Sequence, residues 1–306
     1  GSCADGAGGL RHHAARGGGR GWHDRGMGNL ELERKRHPST FRKLAVGTWD
    51  DATAASVYGA MTLRMEPALA YIEAFRAATG RHLTVTHLMG RAVARVLADV
   101  PDANAILRGK HIYLRKDVAI FFQVAMQDPV TGELDLSGLV LRQAQTRSLA
   151  EIVDEFTAAA AKVKARRDRS LEGTRSLLSR LPARLVGPML KATGYLAYEW
   201  NLDLRRLGVP RDAFGSAMIT NIGSLGLESA FAPLIPYSRV PLILALGAVE
   251  DSPVVDGDRV VPGKTMRVCA TFDHRLLDGA HAARMARVLR AHFADPFAHY
   301  DPLPGR

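Results

Sequence analysis

The chain has 306 residues, 47% of them apolar, and a net charge of +10. That is enough apolar material for one large core, and no run of about 20 apolar residues is present to span a bilayer. The only cysteines, Cys3 and Cys269, lie far apart, which excludes a disulfide framework and points to a reducing compartment, expected to be cytoplasmic.

Residues 1–37 are rich in Gly, Arg and His and lack hydrophobic periodicity, so they read as a disordered leader or a remnant ahead of Met27. From residue 38 to 306 the chain reads as one domain. Ser56 to Met65 is strand-like. Pro67 suits the start of a helix whose apolar face carries Leu69, Ile72 and Phe75, and Gly80 ends it. Val93, Val96, Leu97 and Val100 mark a second helix, stopped by Pro101. Val118 to Met126 is apolar and β-branched or aromatic enough for a buried strand. Ser148 and Glu151 form a capping box ahead of a long helix with Leu149, Ile152, Val153 and Phe156 on one face. Ser216–Ile222, Pro241–Val249 and Met266–Phe272 read as strands, with Asp256-Gly257 as the turn between the last two. Met285, Val288, Leu289 and Phe293 line a final helix. This mixture predicts a sheet covered by helices, of the α/β or α+β class.

Charge is uneven along the chain. Residues 162–212 hold twelve Lys/Arg against five Asp/Glu, and residues 1–40 hold seven against four. These two stretches account for the whole excess, so a nucleic-acid-binding face across the domain is not expected.

The string Thr271-Phe272-Asp273-His274-Arg275-Leu276-Leu277-Asp278-Gly279 carries the most chemistry. An imidazole is neutral near pH 7 and takes a proton from an incoming thiol. The aspartate four residues later holds the loop through charge-assisted hydrogen bonds, and the glycine admits backbone angles that other residues resist. No G-x-S-x-G elbow, H-E-x-x-H pair or strand-linked G-x-G-x-x-G is present, so hydrolase, zinc and dinucleotide sites are not suggested. Cys269, within an apolar alternating run, reads as a small core residue.

The D-H-R-x-x-D-G string resembles the active-site signature of the catalytic domain of 2-oxo-acid dehydrogenase acyltransferases, whose fold is chloramphenicol acetyltransferase-like: a mixed central sheet flanked by helices. Ile219-Thr220-Asn221-Ile222-Gly223, then Phe231-Ala232-Pro233-Leu234-Ile235, then Leu244-Ala245-Leu246-Gly247 resemble further family motifs in the family's order. Leu83 to Val124 is a softer match. The resemblance implies His274 as general base, Thr220 as the hydroxyl that binds the oxyanion, and Asp278 as a loop-fixing residue salt-bridged to an arginine, with Arg42 the candidate. It implies Asn221 and Gly223 in shaping the substrate-side turn. It also implies coenzyme A or acyl-CoA as substrate without a metal, a thiol (dihydrolipoamide-like), hydroxyl or amine acceptor, and a homotrimer whose sites lie between subunits.

Three departures stand out. No lipoyl lysine motif, subunit-binding segment or Ala/Pro linker precedes the core, so the chain is expected to be a free-standing catalytic domain. A basic stretch near 166–214 is longer than the family usually has, and Gln127 to Leu139 replaces a short family passage. The insertion is expected to pack on the domain as helices or lid the site. Lying on an anionic membrane is the alternative, opposed by Pro182 and Pro188 as helix breakers. A non-catalytic assembly protein of the same fold is the other alternative to an enzyme.

Overall fold

The computed structural model describes residues 55–108, 111–127, 134–164 and 182–303. In chain order the elements are β1 (Ser56–Arg64), α1 (Glu66–Thr79), α2 (Val85–Asp99), β2 (Ala105–Arg108), β3 (His111–Leu114), β4 (Ala119–Gln127), β5 (Leu134–Arg142), α3 (Leu149–Lys164), α4 (Ala183–Gly194), β6 (Ala217–Asn221), β7 (Leu242–Asp256), β8 (Arg259–Asp273), α5 (Gly279–Ala294) and α6 (Pro296–His299). Six strands form one mixed sheet in the order β1-β8-β7-β6-β4-β5, and β2 and β3 form a separate hairpin. The β4–β6 and β6–β7 pairs are parallel, and the others are antiparallel. This is the expected α/β architecture.

Strand alternation sorts the side chains onto two faces. Ile120 and Phe122 of β4, Ala217 and Ile219 of β6, Leu242, Leu244 and Leu246 of β7, and Val268 and Phe272 of β8 share the main core with α1, α2, α3 and α5. The other parity, Phe121, Met218 and Ile243, packs under the connection into β7 through Ala232, Leu234 and Ile235. Both faces are covered, which is why β7 begins as an unbroken buried run, Leu242–Leu246, rather than an alternating one.

The local signals behave as their chemistry dictates. Glu151 Oε2 accepts from Ser148 N at 2.8 Å, and Ser148 Oγ accepts from Glu151 N at 3.3 Å, closing the capping box of α3. Gly80 ends α1 in the left-handed region at φ 69°. Gly257, at φ 64°, turns β7 into β8. These two strands reach 15 residues each, well beyond the apolar runs that marked them, because their outer halves pair as an exposed ribbon with polar and apolar residues mixed. The hairpin β2–β3 and strand β5 had no clear sequence signal. Leu134 to Leu139, part of the passage read as replacing a short family one, begins β5, while residues 128–133 lie outside the described residues. Among the described residues no helix is long and apolar enough to cross a membrane.

The first third of the basic stretch, up to residue 181, is outside the described residues. The rest is fastened to the domain. Val186 and Leu190, one turn apart on α4, are buried against Tyr237. Glu199 pairs with Arg239 at 2.9 Å, its carbonyl accepts from Arg108 at 2.8 Å, and Asp212 pairs with Arg115 at 2.7 Å. Pro188 does not break the helix, contrary to expectation. The helix starts just after Pro182 and runs through Pro188, forgoing the single bond that position 188 would donate one turn back.

Candidate active site

His274 stands just past the end of β8. Its backbone N–H donates to Ala55 O at 2.8 Å, extending the β1–β8 ladder by one step, and its side chain is exposed. The turn that holds it is built by its neighbours. Asp273 Oδ1 accepts from Arg275 N at 3.0 Å, and the Asp273 carboxylate takes the Arg275 guanidinium at 2.9 and 2.6 Å. Asp273 is 8% exposed, so this fork satisfies a buried charge. The pairing with Asp273 raises the Arg275 pKa. The Asp273 carbonyl accepts from Leu276 and Leu277, whose side chains are buried. Aspartate, arginine and the two leucines of the string therefore pin the backbone on either side of one solvent-facing imidazole.

Asp278 caps α5. Its Oδ1 accepts from Ala280 N at 2.9 Å, His281 N at 3.0 Å and the His281 ring at 2.7 Å. The hydrogen bond from the His281 backbone, then that from its ring, hold this carboxyl below the usual range. The expected arginine partner, Arg42, is not among the described residues. Among the described residues the side-chain partner of Asp278 is His281, and Arg275 is committed to Asp273. The role read for Gly279 is corrected: it has no positive φ, and a Cβ there would meet nothing within 4 Å. Neither strain nor crowding within the chain requires glycine at that position.

Thr220 sits near the end of β6, half-buried, on the sheet face away from the main core. It lies in register with Gln123 of β4 and Ala245 of β7, and Ala245 in turn with Cys269 of β8. Cys269 is buried with Ile222 and Ala245, as a core residue. Asn221 fixes the next turn: its Nδ2 donates to Thr86 Oγ1 at 3.0 Å, and its Oδ1 accepts from Ser224 N at 3.1 Å. Its side chain is thus engaged inside the chain. Gly223 lets this turn lie directly on β7, where a Cβ would come within 2.6 Å of the Gly247 and Ala248 backbone. A Cβ on Gly247 would fall 1.9 Å from Glu228 O. The two glycines mark one backbone-on-backbone contact that sets the position of Thr220.

Thr220 and His274 do not meet within one chain. Thr220 is level with Cys269 across the sheet, and His274 lies five residues further along β8, about 16 Å along the strands and about 10 Å across them.

Several residues that organise the site were not singled out by sequence reasoning: Asp273, Arg275, Thr86, His281 and Asp102. His281 Nε2 lies 3.2 Å from Asp102 Oδ2, so the ring bridges the α5 cap to the turn Pro101–Asn104. Only the Asp273–Arg275 pair had a local signal, an aspartate two residues before an arginine at a strand end.

The sequence model for "2-oxoacid dehydrogenases acyltransferase (catalytic domain)" matches residues 35–176 and 211–299. This chain belongs to that family. The model leaves residues 177–210 unmatched. Among curated relatives, the dihydrolipoyllysine-residue acetyltransferase component of the Bacillus subtilis acetoin cleaving system is 26% identical over 219 residues, covering 72% of this chain and 43% of that protein. The corresponding component of the Rhizobium meliloti pyruvate dehydrogenase complex is 25% identical over 214 residues, covering 70% and 37%. The chain thus spans less than half of these relatives. Among solved structures, the dihydrolipoamide acetyltransferase of Azotobacter vinelandii has a TM-score of 0.61 at 22% identity, covering 87% of this chain and 93% of that one. The truncated catalytic core of the 2-oxoacid dehydrogenase multienzyme complex of Thermoplasma acidophilum has a TM-score of 0.58 at 19% identity, covering 87% and 99%. These structures share the fold.

Proposed function

We propose that this acyltransferase domain moves an acyl group between coenzyme A and a dihydrolipoyl thiol, at a site made by His274 of one subunit and Thr220 of another. The observation that carries the reading is the setting of His274: one exposed imidazole on a turn locked by Asp273–Arg275 before it and the Asp278 cap after it. The separation of Thr220 from His274 within one chain supports a site assembled between copies, in a trimer of the kind the family resemblance implies. The Azotobacter enzyme's mechanism has been examined at a serine, a histidine and an asparagine four residues after that histidine. The His274–Asp278 spacing is the same, with aspartate in the last place.

The chemistry follows from these groups. His274 takes the proton of the attacking thiol, and the sulfur adds to the thioester carbonyl. The carbonyl oxygen gains the negative charge and accepts a hydrogen bond from the Thr220 hydroxyl, a type of contact worth about 2.7–4 kcal/mol of barrier. Collapse reforms the carbonyl, breaks the original carbon–sulfur bond, and returns the proton from the imidazolium to the departing sulfur. Asp278, held anionic, keeps the α5 cap closed and transfers no proton.

The test is thiol release from a panel of acyl-CoAs with dihydrolipoamide as acceptor. Turnover by the chain that falls at least about a hundredfold in His274→Ala supports the reading. Turnover unaffected by that change would overturn the assignment of the base.

A further inference from the structure

A cavity of about 260 Å³ lies between the sheet and helices α2 and α5. Val268, Ala270 and Phe272 of β8 form its floor, and Ala282 and Ala286 of α5 its roof. Every described residue that lines it is apolar. Protein interiors are close-packed, with few voids larger than a water molecule. An apolar space of this size therefore calls for an occupant or for a backbone constraint that keeps it empty.

The backbone supplies no such constraint. Gly59 of β1 also lines the cavity, and its φ is not positive. A Cβ there would meet only Phe272 Cε1, at 3.8 Å, an ordinary contact. A side chain at this position would narrow the cavity without strain. Ala270, Ala282 and Ala286 are small as well. At the lip, Ala60 and Ala283 are exposed, so the space opens to solvent between β1 and α5.

The place of the cavity in the fold identifies what enters it. Its floor and roof, β8 and α5, are the two arms joined by the turn His274–Asp278. Phe272 stands two residues before His274, about 7 Å along the strand. Ala282 N–H donates to Asp278 O, one turn into α5. Val268 and Phe272 lie on the core face of β8. Alternation puts His274 on the same side, and its N–H bond to Ala55 O carries the ladder that far. A thioester held at His274 thus has its hydrocarbon tail at the near end of an apolar slot that runs about 13 Å, from Phe272 to Val268. A cavity of about 150 Å³ holds benzene, so in proportion this one has room for about ten carbons. Its walls offer no polar side chain to a charged or hydroxylated acyl group, which would lose its hydration there.

We propose that this cavity receives the hydrocarbon tail of a medium-chain acyl group, about six to ten carbons long, carried on coenzyme A. The proposal rests on the acyl-transfer reading above and adds its substrate class: the subunit that supplies His274 also houses the tail.

The test is equilibrium dialysis of 1-octanol against the full chain. The unaltered chain should bind about one octanol per chain. Octanoyl-CoA should displace it at a concentration at least about tenfold below acetyl-CoA, since each buried methylene is worth roughly fourfold. Ala286→Leu and Gly59→Val narrow the cavity from different walls, and each should weaken octanol binding at least about tenfold. Circular dichroism reads the fold of each variant, and light scattering its assembly state. Neither measurement needs turnover. Octanoyl-CoA that competes for the cavity without acyl transfer would sink the acyl-transfer reading and leave the cavity assignment standing. Acetyl transfer without octanol binding would do the reverse. No octanol binding, binding undiminished in both variants, or octanol displaced no better by octanoyl-CoA than by acetyl-CoA would overturn the proposal. So would substitutions that change the assembly state, since the space would then belong to a neighbouring copy of the chain.

Discussion

Asn221 is the sharpest place to test how the site is held. Its amide ties the turn after Thr220 to the first turn of α2 through Thr86, and to its own turn through Ser224 N. Asn221→Ala deletes both hydrogen bonds at a half-buried position. At about 0.5–1.5 kcal/mol each, the loss is roughly 1–3 kcal/mol. For a domain of this size that corresponds to a fall in Tm of about 4–8 °C at the middle of the range. Thr86→Ala removes only the first bond and should cost about 1 kcal/mol. The double variant should then be more stable than additivity allows, with a coupling of about 1 kcal/mol. Asn221→Asp keeps an acceptor for Ser224 N–H and lets the Thr86 hydroxyl donate instead, so it should lie near the unaltered chain. Urea unfolding followed by circular dichroism reads all four. Strict additivity of the Asn221 and Thr86 changes, or an Asn221→Ala loss below about 0.5 kcal/mol, would refute the claim that this side chain is a structural strut.

Other expectations follow from the same geometry. Gly247→Ala forces a Cβ against the Glu228 carbonyl and should cost about 3 kcal/mol or more in thermal unfolding. Gly279→Ala, into open space, should leave stability unchanged or raise it. Equal effects of the two would contradict the reading of the contact between β7 and its preceding loop. His87 is buried and its pKa is lowered to about 4, chiefly by burial. It is therefore neutral in the fold at pH values where the unfolded chain protonates it. Its contribution is complete above the unfolded value of 6.5. It is lost as pH falls from there towards 4, by on the order of 3 kcal/mol. His87→Phe should flatten unfolding free energy against pH in that window, and an unchanged slope would exclude His87 as its source. Asp278 works on the acid side. With its pKa lowered, it stabilises above the unfolded carboxyl value and ceases to do so as pH falls through the folded one. The stability gap between the unaltered chain and Asp278→Asn should therefore close at low pH.

The elements with strong periodicity or caps were legible in the sequence: α3 from its Ser148–Glu151 box, α5 from its apolar face, and β4 from its apolar run. Strand β5 and the β2–β3 hairpin were not. β2 and β3 are four residues each, and every residue of β3 is exposed, so no alternation marks a buried face. For the site, the D-H-R-x-x-D-G string located His274 and Asp278. It could not show that Asp273 and Arg275 satisfy each other while Asp278 turns to His281, because that choice is made by distances around one turn. The Asn221–Thr86 and His281–Asp102 contacts join residues more than a hundred positions apart, and no local pattern encodes them. Pro188 misled for the opposite reason: a local rule for helix breaking was overridden by the packing of Val186 and Leu190 on Tyr237.

The claim on which the rest depends is that His274 and Thr220 act from different subunits. It is tested most directly by mixing. His274→Ala and Thr220→Ala chains are each purified, then unfolded together, refolded and assayed for acyl transfer. If each site takes its histidine from one chain and its threonine from the next, random assembly of a closed ring restores both native residues in about a quarter of sites. The mixture should then recover activity well above either parent. A mixture no more active than the parents, despite normal assembly, would place both residues in the same chain's site or remove one of them from the reaction.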